Sequence, residues 1–422
     1  MNFKKKTLSN GLRIITVDVP QSPSVSVMVL AETGSDYERQ EENGLSHFLE
    51  HMMFKGTKKR PNSRKILHEL DAIGASSNAF TSRECTGYWA KAHPKKFDQI
   101  LDIISDIYLN STLDEAEIRK EKGVVLEEIN MYNDNPRSLV SRDFISLLYG
   151  DQPAGRDILG IPGNIRRFRQ KDFAGYRAKH YLASSTIVVV AGNINPKIAT
   201  EKIKKAFKDI PVGVKKDRTK FRKSALGVRT HVRKKKSDQI HLILGFNALP
   251  PGTKDYYAQA VLATILGKGM SSRLFLKVRE DLGAAYYIGA GLSTFSNRSH
   301  LAIRAGLSKK KFDLVLSEIT KEASALKNEL VLSEELDKAK EYIIGKMFLS
   351  LETADSISDF YAEQEVLKLK IKSPQEEADS IRRVTAQDIR RIARKIFNKN
   401  NVNLAIVGDV KVSKNFGEDL VL

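Results

Sequence analysis

The chain repeats itself at long range. Asp388-Ile389 … Lys395-Ile396-Phe397 … Leu404-Ala405-Ile406-Val407-Gly408-Asp409 follows the pattern of Asp172-Phe173 … His180-Tyr181 … Val188-Val189-Val190-Ala191-Gly192-Asn193. The offset is 216 residues, carrying Gly192 onto Gly408. Residues 336–347 overlie 118–129 at an offset of 218, and residues 258–269 overlie 45–56 at 213. Solenoid repeats run to about 20–50 residues, so a period this long means a duplicated domain. The length agrees: 422 residues exceed one ordinary core, and two domains near 200 residues each are the natural division.

Within the first copy, strand and helix signals are interleaved. Residues 12–19 alternate in hydropathy, 20–23 interrupt, and 25–30 alternate again, predicting strand, turn, strand. Helices are predicted over 63–73, ended by Gly74, and over 95–109, 114–133, 172–181 and 196–207. Residues 76–92 read as a pair of strands, 186–191 as a strand, and 211–237 as a linker with an entering strand.

One stretch of the first copy carries chemistry: Gly44-Leu45-Ser46-His47-Phe48-Leu49-Glu50-His51-Met52-Met53-Phe54. At 100° per residue, Leu45, Phe48, Leu49, Met52 and Met53 share one helix face, and His47, Glu50 and His51 the opposite one. Histidines four apart stand one turn above each other and reach a single metal ion, with the Glu50 carboxylate beside them. This is the inverted H-x-x-E-H zinc-peptidase signature. A His₂ catalytic site needs one further protein ligand. Residues 121–128 offer Glu121, Glu127 and Glu128, with Glu121 and Glu128 on one helix face and Glu127 about 100° from Glu128. The second copy has lost this chemistry: Ala260, Ala263 and Thr264 stand where His47, Glu50 and His51 stand, and Lys346 where Glu128 stands. Only the first copy is expected to hold a metal.

Composition narrows the rest. Cys85 is alone, which removes intrachain disulfides and C-x-x-C metal sites. The basic start, Lys4-Lys5-Lys6, is not followed by an apolar signal region, and the longest apolar runs are strand-sized. A cytoplasmic protein without membrane insertion is expected. The formal charge is +19, with basic residues thickening over 202–236. No nucleic-acid-binding motif accompanies them and aromatics are sparse there, so they read as a solvated linker rather than a nucleic-acid surface.

With these residues in place, the chain resembles the pitrilysin/insulinase metallopeptidase family, in its short, processing-peptidase-like branch, along essentially its full length. The resemblance is carried by residues 44–57, 78–84, 121–128 and Gly269-Met270-Ser271-Ser272-Arg273-Leu274-Phe275, continuing to Arg279-Glu280 … Gly283 … Tyr286. It implies an α+β fold of two homologous domains, each a mainly antiparallel β-sheet packed with α-helices. Residues 1–215 would be the zinc-binding catalytic domain, 216–229 a basic linker, and 230–422 a metal-free domain contributing substrate contacts. It implies one Zn²⁺ per chain, bound by His47, His51 and Glu128, with Glu50 as general base and Glu121 orienting a ligand. Asn78, Ala79 and Phe80 would lie on an edge strand that takes a peptide in extended form. Arg279 and Tyr286 would contact substrate, within one chain or across a homodimer or a heterodimer with a related chain. Processing members act on basic presequences through acidic surfaces, whereas this chain is basic, so the expected activity is broad endopeptidase cleavage of peptides or unfolded segments. Two rival readings keep other classes open: a non-catalytic partner subunit of the same fold, and a basic nucleic-acid-associated protein.

Overall fold

The computed structural model describes residues 2–223 and 227–410. In chain order the elements begin with β1 (Asn2–Thr7), β2 (Arg13–Asp18), β3 (Val25–Ala31), α1 (Leu45–Met53), α2 (Ser63–Asp71), β4 (Ser76–Thr81) and β5 (Thr86–Ala92). Next come α3 (Phe97–Asn110), α4 (Glu115–Asp134), α5 (Pro136–Tyr149), α6 (Pro162–Arg167), α7 (Gln170–His180), β6 (Thr186–Gly192) and α8 (Pro196–Ala206). The remainder is β7 (Arg229–Arg233), β8 (Ile240–Ala248), α9 (Tyr256–Gly267), β9 (Tyr287–Phe295), β10 (Arg298–Leu307), α10 (Phe312–Asn328), α11 (Ser333–Ser350), α12 (Ala354–Val366), α13 (Pro374–Arg382), α14 (Ala386–Ile396) and β11 (Asn403–Val407).

The duplication is visible in the sheets. One has the order β1-β2-β6-β3-β5-β4 and the other β7-β11-β8-β10-β9. In each, one pair is parallel, β2 with β6 and β7 with β11, and every other pair is antiparallel. The second sheet is the first without β1. This is the α+β, mainly antiparallel architecture implied by the resemblance.

The chain divides into two compact units, each built from three segments. The first is Met1–Asn130, Arg156–Lys220 and Phe348–Pro374; the second is Met131–Gly155, Phe221–Met347 and Gln375–Leu422. Packing explains the interleaving. β3 and β6 are buried along their whole lengths, so both faces of the first sheet need covering. Val25, Val27 and Val29 join one cluster with Ile100, Ile103, Ile104 and Ile107 of α3. The alternate side chains Met28 and Leu30 are equally buried, and α12 packs on β3 and β6. The second sheet is treated the same way. Leu242, Leu244 and Phe246 of β8 join a cluster with α9, α10 and α14. Ile243, with Ala405 and Val407 of β11, packs on Leu139, Val140 and Phe144 of α5. Sealing apolar strands on both faces in this way supplies much of each unit's stability, at about 25 cal/mol per Å² of apolar surface buried.

β1 was not foreseen. Its residues, Asn2-Phe3-Lys4-Lys5-Lys6-Thr7, carry no apolar alternation, because it is an exposed edge strand. Edge lysines of this kind discourage pairing with other chains. Phe3 anchors it against Tyr361 of α12, ring centroids 5.2 Å apart, and Lys5 pairs with Glu365 at 2.6 Å.

Candidate metal centre

Helix α1 is nine residues long, and its apolar face, Leu45, Phe48, Leu49, Met52 and Met53, is fully enclosed. That burial decides its rotation, turning His47 and His51 toward Glu128 of α4 and Glu50 toward Thr81 of β4. The Nε2 atoms of His47 and His51 lie 3.5 and 3.6 Å from the same Glu128 oxygen, and the three donor atoms fall within 4.8 Å of one another. Tetrahedral zinc with ligands near 2.0–2.1 Å spaces its donors by about 3.3 Å, so this set fits one such ion with small adjustment. Two imidazoles and one carboxylate also match the donor chemistry of a catalytic zinc site, which keeps a fourth position open.

The three candidate glutamates of α4 separate in space. Glu128 faces both histidines. Glu121 is buried and accepts the Nδ1 proton of His51 at 2.9 Å, leaving the His51 Nε2 lone pair on the Glu128 side. Glu127 is exposed and accepts a long hydrogen bond from the Asn130 amide at 3.5 Å. Lys55 completes this side, its ammonium 2.5 Å from the second oxygen of Glu121.

Electrostatics follow from burial and these pairings. Burial, with the charge of His51 adding, pushes His47 down to about 4, so its ring is neutral and able to donate a lone pair. Burial also pulls on His51, but the Glu121 hydrogen bond and the charges of Glu50, Glu121 and Glu128 carry it above its ordinary value. Glu121 stays below the usual carboxylate range: burial opposes this, and hydrogen bonds from His51 and Lys55 overcome it. Glu50 is pushed up, chiefly by burial, with the charge of Glu128 adding, while a hydrogen bond from Thr81 and the charge of His51 pull the other way. The Thr81 hydroxyl donates to Glu50 Oε2 at 2.9 Å.

Asn78, Ala79 and Phe80 lie on β4, the edge strand of the first sheet opposite β1. Asn78 is exposed. Phe80 lays its ring over Gly87 of β5, where a Cβ would come within 2.5 Å of two ring carbons. Arg279 and Tyr286 belong to the second unit. Arg279 sits on a short π-helical turn, Phe275–Asp281, with its guanidinium 5.1 Å from the Phe275 ring, and Tyr286 is 59% exposed. Three residues without a sequence-derived role enter the site: Thr81, Lys55 and, behind α1, Glu38. Strand alternation puts Thr81 on the same face of β4 as Ala79, which was the only hint for it. Lys55 and Glu38 carry no local signal.

With the site in view, the comparisons with known proteins are direct. Residues 13–161 match the model of the insulinase family of peptidases, family M16, and residues 167–343 match the model described as the peptidase M16 inactive domain. A protein of Bacillus subtilis described as an uncharacterized zinc protease, YmxG, is 35% identical over 398 residues, covering 94% of this chain and 96% of its own. A Rickettsia felis protein, also described as an uncharacterized zinc protease, is 35% identical over 408 residues, covering 96% and 98%. Among solved structures, a protease from Helicobacter pylori superposes with a TM-score of 0.90 at 24% identity, covering 96% of this chain and 99% of that one. A Pseudomonas fluorescens structure described as a peptidase M16 inactive domain gives 0.90 at 18% identity, covering 98% and 100%, and both likenesses concern the fold. The match described as inactive begins within the first copy, at residue 167, and takes in the helix that carries Ala260, Ala263 and Thr264 in place of the ligand motif. On its family models and its relatives, the chain belongs to the insulinase, or M16, family of peptidases.

Proposed function

We propose that this protein is a zinc-dependent endopeptidase that hydrolyses peptides or unfolded polypeptide segments held in extended form. One observation carries the reading. His47, His51 and Glu128 converge their donor atoms, while Glu50 stands within electrostatic reach of His51 and Glu128 but outside the donor set.

His47, His51 and Glu128 would hold the ion. When bound, zinc supplies Lewis acidity, lowering the pKa of water toward about 7 and polarising a peptide carbonyl. Glu50 takes the proton of the attacking water and hands it to the departing amine. Thr81 occupies one oxygen of Glu50 and leaves the other to carry that proton. Glu121 holds His51 in the Nδ1–H tautomer, and Lys55 anchors Glu121. The outer edge of β4, unpaired by any strand among the described residues, offers a row of backbone donors and acceptors to an extended peptide, which favours main-chain recognition and broad specificity. Arg279 and Tyr286 are assigned to the substrate, with the Tyr286 hydroxyl as a donor to the developing oxyanion, in one chain or across a homodimer or heterodimer.

The experiment is Glu50→Gln, purified without chelator. Zinc content should match the parent, and cleavage of a mixed peptide library should fall by about 10²–10⁴-fold. Substantial cleavage by this variant would reject Glu50 as the base. A parent chain that binds no zinc and cleaves nothing would favour the partner-subunit reading.

A further inference from the structure

We propose that Glu38 is a positioning residue for the metal centre: from outside helix α1 it caps the helix start and so sets where His47 presents its Nε2 atom. This rests on the reading of His47, His51 and Glu128 as metal ligands.

Nine residues do not make a stable helix in water, and the first four backbone N–H groups of any helix need outside partners. The residue at the cap position of α1 is Gly44, at φ +97°, with no side chain to offer. The usual Ser, Thr, Asp or Asn is absent. Glu38 fills the role from six residues upstream. Its carboxylate is 1% exposed and receives four hydrogen bonds: the Gly44 N–H at 2.9 Å, the Ser46 N–H at 2.7 Å, the Ser46 hydroxyl at 2.5 Å and the Asn43 amide at 3.1 Å. Negative charge at a helix start is favoured by the helix dipole as well. Ser46 directly precedes His47, so the carboxylate grips the backbone that carries the ligand, through both groups Ser46 can donate.

The surrounding loop is fixed in turn. Asn43 donates to the Asp157 carbonyl at 2.8 Å, and Asn164 donates to the carbonyls of Asn43 and Gln40 at 3.0 and 2.9 Å. Gly44 and Gly160 approach so closely that a Cβ on Gly160 would meet the Gly44 Cα at 2.5 Å.

The need for such a clamp lies in an asymmetry between the two histidines. A metal-binding imidazole normally donates its second N–H to a neighbouring acceptor, which fixes the ring. His51 does so, to Glu121. The Nδ1 atom of His47 is buried and finds no hydrogen-bond partner among the described residues. His47 is therefore placed by its backbone, and Glu38 is what holds that backbone.

The test compares Glu38→Gln with Ser111→Ala. Ser111 bonds the Met52 carbonyl at 3.2 Å, at the other end of α1, and serves as a control for general helix loosening. Zinc dissociation constants are measured by competition with a chromophoric chelator, alongside the thermal midpoint of the chelator-stripped protein. The d–d spectrum of the cobalt-loaded protein reports ligand geometry. Glu38→Gln should weaken zinc by about 10–100-fold and alter the cobalt spectrum, whereas Ser111→Ala should lower the thermal midpoint with less than about threefold change in zinc affinity. If Glu38→Gln does not fold, Ser46→Ala, which removes one of the four donors, should weaken zinc by about three- to tenfold. Parent-like affinity and spectrum in the Glu38 or Ser46 variant, or an equal loss in the Ser111 control, would overturn the proposal and leave the metal ligands standing. Absence of zinc binding by the parent would instead remove the reading beneath it.

Discussion

Thr81 shows what a single hydroxyl contributes when it faces a half-buried carboxylate. Its hydroxyl donates to Oε2 of Glu50, the proposed base. Hydrogen bonds to charged groups are worth about 1.5–3 kcal/mol. Thr81→Val keeps the shape and removes the donor, so kcat should fall about tenfold or more with zinc content unchanged. Peptide turnover and metal analysis on the same preparation check this, and an unchanged kcat would show that the hydroxyl does not orient the base. The contrast with His47, Glu50 and His51 explains what could be read in advance. Those three are neighbours on one helix, where spacing alone implies proximity. Thr81 and Glu38 reach the site across 31 and, for Ser46, 8 residues of chain, through turns that no periodicity encodes. The separation of Glu128 from Glu121 lies between these cases. Helix geometry placed both on one face, but only the docking of α4 against α1 decides which of them meets both imidazoles.

Elements divide along the same line. β6 was legible as an apolar run, and β3 from an alternation that implies one buried face, whereas the structure buries both strands on both faces. β1 was illegible because an exposed edge strand needs no apolar pattern. α12 was not foreseen either, and no local pattern names the sheet it covers. α12 also carries an unusual polar face, with Asp355, Asp359 and Glu363 at successive i, i+4 positions. Lys91 meets Asp355 at 2.7 Å. Asp359 keeps part of its surface in solvent, but partial burial, then the charges of Asp355 and Glu363, push it up to about 6. An unfolded Asp titrates near 3.9. Between these values the folded chain holds a proton that the unfolded chain has released, so stability falls as pH rises from about 4 through 6 and stays lower above. Asp359→Asn removes that loss. The variant should melt higher than the parent at pH 8, with the gap closing as pH is lowered below 6. Melting curves across that range test it, and a gap of constant size would show that the Asp359 carboxyl is not raised.

At the scale of the whole chain, duplication produced two sheets of one strand order, and among the described residues the one cluster of side chains able to hold a metal, His47, His51 and Glu128, lies in the first copy. The equivalent helix of the second copy, α9, shows what replaced it. Ala260 and Ala263 have no donor atoms, and the Thr264 hydroxyl turns back to the Ala260 carbonyl of its own helix at 2.9 Å. Ala263 and Thr264 are buried, so this helix spends on packing the surface that α1 keeps for ligands. The chain should therefore bind one zinc ion, and binding should be felt unequally. A ligand that binds only the folded form adds about 2.7 kcal/mol at a hundredfold excess over its Kd. All of that energy enters through α1 and α4, since His47, His51 and Glu128 belong to no other element. Adding zinc to chelator-stripped protein should slow amide hydrogen exchange in peptides covering α1 and α4, while peptides covering α9 and α11, their counterparts in the second copy, should exchange as before. Metal analysis should give one equivalent, falling below a tenth in His51→Ala. Two equivalents, or protection that rises first in α9, would mean that the second copy kept a metal site that its side chains do not explain.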